Sequence, residues 1–149
     1  MATRTLAGFA ADLDYDDIPE PVRERAGLCL TDTVGVALFG AGLPWSRIII
    51  DYARSVGQGG ASTILGAPGA KVHAPLAALA NGALAHAFEL DSLRKPSTGV
   101  HPGAILGGSG LAVGEELNCS GKALLTAFVA GCEVMSRIGA ATRHSSELL

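Results

Sequence analysis

Small apolar residues recur at helical spacing through most of this chain, and they favour closely packed helices over any other architecture. Of the 149 residues, 48% are hydrophobic and 20 are glycine. Alanine and glycine add little bulk to a helix surface, so neighbouring helices can approach each other closely. Only 17% of the residues are charged, a composition typical of a globular chain rather than a disordered one.

The apolar periodicity predicts six helices and one short extended segment. The helices are expected at 3–13, 21–40, 44–56, 75–90, 102–116 and 121–142. A β-like run is expected at 61–65, before a turn at 66–69, and a loop at 91–101. We therefore predict an all-α fold for residues 1–149, a length close to the usual size of one domain. The side chains expected in its core are Ile48, Leu79, Val113, Phe128 and Val134.

Charge and hydropathy exclude several classes of partner. The formal net charge is −3, so no basic field exists to attract nucleic acid. We find no run of about 18 uninterrupted apolar residues, and the first residues lack the features of a signal peptide, so no membrane contact is expected. Three cysteines without a CxxC pair fit reduced thiols. These features predict a cytoplasmic protein.

One segment brings together two histidines, two carboxylates and two cations within 16 residues: His86, Glu89, Asp91, Arg94, Lys95 and His101. His86 and Glu89 are three residues apart, so both are expected to project from one face of the predicted helix at 75–90. His101 stands just before a predicted helix start, where free N–H groups and the helix dipole can hold a substrate carboxylate. Arg94 and Lys95 could add positive charge. The segment is therefore the candidate site.

Each of these residues also has a purely structural interpretation. His86, on an alanine-rich helix, could be a buried, hydrogen-bonded core residue. Glu89 and Asp91 could cap the helix end or pair with the neighbouring cations. His73 and His144 lie outside any cluster and are expected to be structural or surface groups.

Metal and nucleotide motifs do not fit the sequence. His86 and Glu89 give the order HxxE, whereas di-metal helical bundles use ExxH, and no second copy exists. The glycines at 107–114 follow no strand, unlike a dinucleotide-binding loop. No metal site is predicted from these patterns.

Four stretches of the sequence together resemble the MmgE/PrpD family. They are Ile18-Pro-Glu-Pro-Val22, Ala80-Asn81-Gly82 running to His86, His101-Pro102-Gly103, and the run from Gly131 to Gly139 with Glu133 and Arg137. The resemblance covers essentially the whole chain. It implies enzymes that dehydrate, decarboxylate or epimerise small polycarboxylates without a metal or organic cofactor.

The resemblance also implies a large helical domain joined to a smaller α/β domain, usually in a homodimer. Family members are about three times as long as this chain. We therefore expect these residues to form the N-terminal portion of one helical domain and to lack a complete active site. Further family residues, among them a catalytic lysine, would follow Leu149.

Carried over residue by residue, the resemblance makes His101 the catalytic acid or base. Glu89 stands where the family commonly has a site aspartate, and Leu93 stands where it has threonine. These departures argue against strict 2-methylcitrate or cis-aconitate specificity. Glu89 or Asp91 would assist His101, while the implied substrate-binding residues are Arg94, Lys95 and His86.

The expected chemistry is removal of a proton next to a carboxylate of a small polycarboxylate substrate. Two other classes stay open. One is a truncated, non-catalytic helical module for folding or dimerisation. The other is a small metal- or ligand-binding helical bundle.

Overall fold

The computed structural model describes residues 1–69, 71–95 and 100–141. Within these residues the chain forms six α-helices and a single short strand, so the all-α prediction is confirmed. The elements are α1 (Ala2–Asp12), α2 (Glu20–Ala41), α3 (Ser46–Val56), β1 (Gln58–Ser62), α4 (Ala74–His86), α5 (Gly108–Glu116) and α6 (Gly121–Ala141). A π-helical turn at Gly103–Gly107 leads directly into α5. The predictions for residues 96–99 and for His144 fall outside the described residues.

Helix α4 lies at the centre of the fold, and α2, α3 and α5 pack around it. Its buried positions are mostly alanine, with Leu84 as the largest fully buried apolar side chain. At the start of α5, a Cβ on Gly108 would lie 2.9 Å from the backbone nitrogen of Gly82. The two helices therefore touch almost backbone to backbone, as the small-residue composition predicts.

Gly40 marks the closest approach of α2 to α4, because a Cβ there would collide with the Leu84 carbonyl. By contrast, a Cβ on Gly35 of the same helix meets nothing within 4 Å. We expect Gly40→Ala to lower the free energy of unfolding by roughly 1–3 kcal/mol or more, since the core must shift. Gly35→Ala should instead raise it by roughly 0.5–1 kcal/mol. Urea denaturation measures both, and a Gly40→Ala protein as stable as wild type would contradict this packing.

Most of the side chains predicted to lie in the core do not. Phe128 is buried and Val134 half-buried, but Ile48 is 76% exposed, Leu79 49% and Val113 45%. The prediction was wrong for these last three because their helices carry apolar residues on more than one face. The inward faces hold the smaller residues that permit close packing, and the bulky ones remain outside.

Strand β1 begins three residues before the predicted run at 61–65, and it forms isolated antiparallel bridges with Val72. The segment that follows β1 is held against α4 by the buried side chain of Asn81. Its Oδ1 accepts the Leu65 N–H at 2.8 Å, and its Nδ2 donates to the Thr63 carbonyl at 3.0 Å. Burial of this amide is therefore compensated by two hydrogen bonds.

Hydrogen bonds from Thr63 to the Glu115 carboxylate link the end of β1 to α5. The carboxylate accepts hydrogen bonds from the Thr63 N–H at 2.5 Å and the Thr63 hydroxyl at 2.8 Å, and pairs with Lys71 at 3.4 Å. Partial burial raises the pKa of Glu115, but the Thr63 hydrogen bonds and the Lys71 charge together hold it below its ordinary value of 4.5.

A carboxylate whose pKa is lowered by folding stabilises the protein above its ordinary pKa, and that contribution is lost as the pH falls through the lowered value. We expect Glu115→Gln to be less stable than wild type at neutral pH, by at most roughly 1 kcal/mol because the pair is exposed. The difference should shrink as the pH falls below 4.5. Thermal unfolding across pH measures this, with the exposed Glu24→Gln as control. A difference that does not change with pH would refute the assignment.

Helix α6 is the most hydrophobic long helix among the described residues. Within its 21 residues, an 18-residue stretch has a mean hydropathy of 1.4, and 11% of that stretch is buried. By length and composition, the helix could therefore cross a membrane. The bent pair α2 and α3 would meet the same test if counted as one span. A core helix of a soluble protein can also meet it, so the absence of membrane contact stays a prediction.

Candidate acid–base site

The site begins where α4 stops, four residues earlier than predicted. The helix ends at His86, and Glu89 adopts a positive φ of 51°. The N–H of Glu89 donates to the His86 carbonyl at 3.1 Å. This turn directs the chain back towards the helix end and brings Asp91 within hydrogen-bonding distance of His86.

Asp91 joins two histidines through one carboxylate. His86 Nδ1 lies 2.9 Å from Asp91 Oδ1, and His101 Nδ1 lies 3.2 Å from Asp91 Oδ2. The Asp91 side chain has no exposed surface, whereas that of His86 is 44% exposed and that of His101 27%. Because an ionised carboxylate only accepts hydrogen bonds, these distances assign the Nδ1–H form to each ring, which leaves Nε2 as the acceptor of a neutral ring.

Two contacts close the loop that carries Asp91 and His101. The Arg94 N–H donates to the Val100 carbonyl at 3.0 Å, which forms an isolated antiparallel bridge. The Gly103 N–H donates to Ser92 Oγ at 3.0 Å. A Cβ on Gly103 would lie 2.8 Å from Ser92 Oγ, so the start of the π-helical turn has no room for a side chain. These contacts join the segment that carries Asp91 to the segment that carries His101.

Both imidazoles open onto one cleft of about 460 Å³ between α4 and the π-helical turn. Their ring centroids are 4.8 Å apart, with an interplanar angle of 72°. The rest of the described lining is apolar and consists of Ala78, Leu79, Gly82, Ala83, Ala104 and Ile105. The two imidazoles are thus the proton-carrying side chains of this lining, and neither lysine nor arginine belongs to it.

The remaining predicted site residues lie outside the cleft. Glu89 is exposed, and its carboxylate forms no hydrogen bond within the part of the chain that the structure describes. Arg94 and Lys95 are also exposed, and the Arg94 guanidinium donates to the Lys95 carbonyl. Their roles in catalysis or substrate binding stay predictions. His73 lies at the opposite end of α4 from His86, apart from the site.

The apolar wall of the cleft and the hydrogen bond that supports it were not predicted from the sequence. Leu79, Ala83 and His86 follow one another at spacings of four and three, which place them on one face of α4. That pattern could have identified the wall before the structure was known. Ser92 gave no such signal, because its hydrogen bond to Gly103 depends on the path of the loop.

The same three side chains also meet the geometric requirement for a metal site. The donor atoms of His86, Asp91 and His101 lie within 4.8 Å of one another. Two imidazoles and a carboxylate are a common set of ligands. A metal bound to Asp91 and to both Nδ1 atoms would have to displace the protons between them, whereas a metal bound to Nε2 would leave those contacts in place. The prediction that no metal is required stays a prediction.

Comparison with known proteins agrees with the family resemblance. The model of the MmgE/PrpD N-terminal domain matches residues 4–148. Two curated relatives, from Aspergillus terreus and from its strain NIH 2624 / FGSC A1156, are both named cis-aconitate decarboxylase. Each is 32% identical over 152 residues, which cover 99% of this chain and 30% of the relative. The chain thus spans less than a third of the length of these relatives. It belongs to the MmgE/PrpD family, and its match is to the N-terminal domain of that family.

Proposed function

We propose that this chain supplies the acid–base histidine of a cofactor-independent lyase or isomerase that acts on a small polycarboxylate. The reaction would begin with removal of a proton from a carbon next to a carboxylate. Dehydration, decarboxylation and epimerisation would then differ in how the resulting carbanion is resolved. The whole enzyme's activity is part of this proposal, because the chain covers 30% of its curated relatives.

One observation carries the proposal: the contact between His101 and Asp91. A fully buried carboxylate accepts the Nδ1–H of an imidazole that lines an open cleft. This arrangement fixes the tautomer and orientation of the ring and leaves Nε2 to exchange a proton with a substrate. A carboxylate buried to this degree is costly unless it is hydrogen-bonded, and here both of its oxygens are. His101 is therefore the best candidate for the acid or base.

The name of the two relatives, cis-aconitate decarboxylase, supports the substrate class, since cis-aconitate is a small tricarboxylate. The lining of the cleft suits the carbon skeleton of such a molecule more than its carboxylates, because its described part contains no lysine or arginine. The substrate's carboxylates would then bind to Arg94 and Lys95 or to segments outside this chain. A homo-oligomeric assembly and a cytoplasmic location belong to the same proposal.

A non-catalytic role for this chain is the second candidate. It is favoured by large apolar side chains that are exposed in α3 and just before it, where Ile48 is 76% and Trp45 52% exposed. Exposed apolar surface of this kind often marks an association surface. In this alternative, the domain would contribute to folding or dimerisation alone.

The experiment is a deuterium-incorporation assay in D₂O with three candidate substrates: cis-aconitate, 2-methylcitrate and iminodisuccinate. The 149-residue chain and a longer protein that contains it are compared side by side. The proposal expects the longer protein to turn over at least one of the three and to keep its activity in EDTA. Absence of exchange and product with all three, in a folded longer protein, would favour the non-catalytic alternative. Loss of activity in EDTA that zinc restores would instead indicate a metal-dependent site.

A further inference from the structure

We propose that His86 is a second proton-transfer residue that works as the partner of His101. This inference rests on the proposed function, and it assigns to His86 a step that the family resemblance does not give it. The observation behind it is the symmetry of the cluster: each ring contacts the buried Asp91 carboxylate through its Nδ1 atom. His86 and His101 also line the same cleft.

The hydrogen bonds determine which atom each ring presents to a substrate. Asp91 accepts from both Nδ1 atoms, one on each oxygen. The nitrogen that remains on each ring is Nε2, and the centroids of the two rings are 4.8 Å apart. A small substrate in the cleft is therefore within reach of two imidazoles. The nearly perpendicular ring planes allow their Nε2 atoms to approach it from different directions.

Charge favours one extra proton shared by the pair rather than two. Asp91 contributes a single negative charge, which compensates a single imidazolium. A second imidazolium would stand next to the first with no second carboxylate of the cluster to compensate its charge. The other charged side chains of the loop, Glu89, Arg94 and Lys95, are exposed. The charge of the cluster therefore suits a pair in which one ring accepts a proton while the other donates one.

The proton balance of such a pair is complete. The neutral ring takes the proton from the substrate: the C–H bond breaks, an N–H bond forms at Nε2, and the electron pair stays on carbon, delocalised into the adjacent carboxylate. The protonated ring then gives its Nε2 proton to a leaving hydroxyl oxygen or to the opposite face of the carbon. One proton is taken and one is given, so the step requires no oxidant or reductant.

A simpler role for His86 would be to satisfy the second oxygen of Asp91. Glutamine at position 86 separates the two possibilities, because its amide can donate a hydrogen bond but cannot carry a proton between substrate and solvent. Alanine removes the ring and opens a space that free imidazole can enter, since the His86 side chain is 44% exposed. His73→Gln, at the far end of α4, is the matched control.

The test measures kcat and KM for these variants in an active protein that contains the chain. We expect His86→Gln and His86→Ala each to lower kcat by roughly 10²-fold or more with little change in KM. Added imidazole should restore part of the kcat of His86→Ala, and His73→Gln should match wild type. A His86→Gln protein with wild-type kcat would overturn the inference in favour of a structural role. A change confined to KM would overturn it in favour of carboxylate binding.

A second measurement tests the premise on the 149-residue chain itself. Nitrogen NMR of the imidazoles should find both rings protonated at Nδ1 and unprotonated at Nε2 in their neutral forms. A ring of His86 protonated at Nε2 would contradict the inference. The two proposals fail on different results. The proposed function fails if His101→Ala retains activity. The inference alone fails if His101→Ala is inactive but His86→Gln remains active.

Discussion

Replacement of His101 by alanine is expected to lower turnover by roughly 10²–10⁴-fold in an active protein that contains this chain, the usual range for loss of a general acid or base. The reason is geometric. His101 is the residue whose ring is held by the buried Asp91 at 3.2 Å and also stands next to the start of the π-helical turn. Among the described residues, only His86 also combines a contact to Asp91 with access to the cleft.

Steady-state kinetics with the substrate that the wild-type protein turns over would measure this effect. His73→Ala is the control, because His73 is an exposed histidine at the other end of α4. The variant should remain folded, since the ring of His101 is partly exposed and leaves no closed cavity. If His101→Ala keeps more than about a tenth of wild-type turnover, well above the residual expected without a general acid or base, this residue is not the acid or base.

Changes at Asp91 are expected to have effects of similar size on turnover. An asparagine there retains one acceptor oxygen, but its NH₂ group faces the second imidazole. That ring must accept the amide N–H at Nδ1, so its own ring proton moves from Nδ1 to Nε2. The Nε2 atom that faces the cleft is then no longer basic. Loss of a carboxylate that fixes the tautomer of a catalytic imidazole lowers turnover by up to roughly 10⁴-fold.

Stability distinguishes asparagine from alanine at this position. Asp91→Asn keeps the shape of the side chain, so its melting temperature should stay close to wild type. Asp91→Ala withdraws the hydrogen-bond acceptor from two imidazoles and should cost roughly 1–3 kcal/mol of unfolding free energy. The exposed Asp51→Asn on α3 is the control for loss of charge alone. Wild-type turnover in Asp91→Asn would show that the carboxylate does not hold a catalytic tautomer.

The helices could be predicted from the sequence because their apolar periodicity and their proline and glycine boundaries are local signals. The identity of the inward face could not. In α4, alanines such as Ala77 and Ala80 lie fully inside, and Leu79 faces the cleft. A periodicity that counts every apolar residue alike cannot tell which face approaches its neighbour most closely.

The candidate site was predicted as a segment but not as a geometry. The i,i+3 relation between His86 and Glu89 assumed that α4 continues through residue 90. Instead, Glu89 adopts a positive φ, which is uncommon for a glutamate, and the helix ends at His86. Asp91 therefore became the shared carboxylate, through a contact with His101 that depends on the fold of the intervening loop. No spacing rule predicts that contact.

The central claim is that the imidazole of His101, held by Asp91, reaches the acidic carbon of a small polycarboxylate. A crystal structure of an active protein containing this chain, with such a substrate or an unreactive analogue bound, tests it most directly. The account predicts the analogue in the cleft between α4 and the π-helical turn, with its acidic carbon roughly 3–3.5 Å from His101 Nε2. An analogue bound more than about 10 Å from His101, far beyond the reach of direct proton transfer, would contradict it.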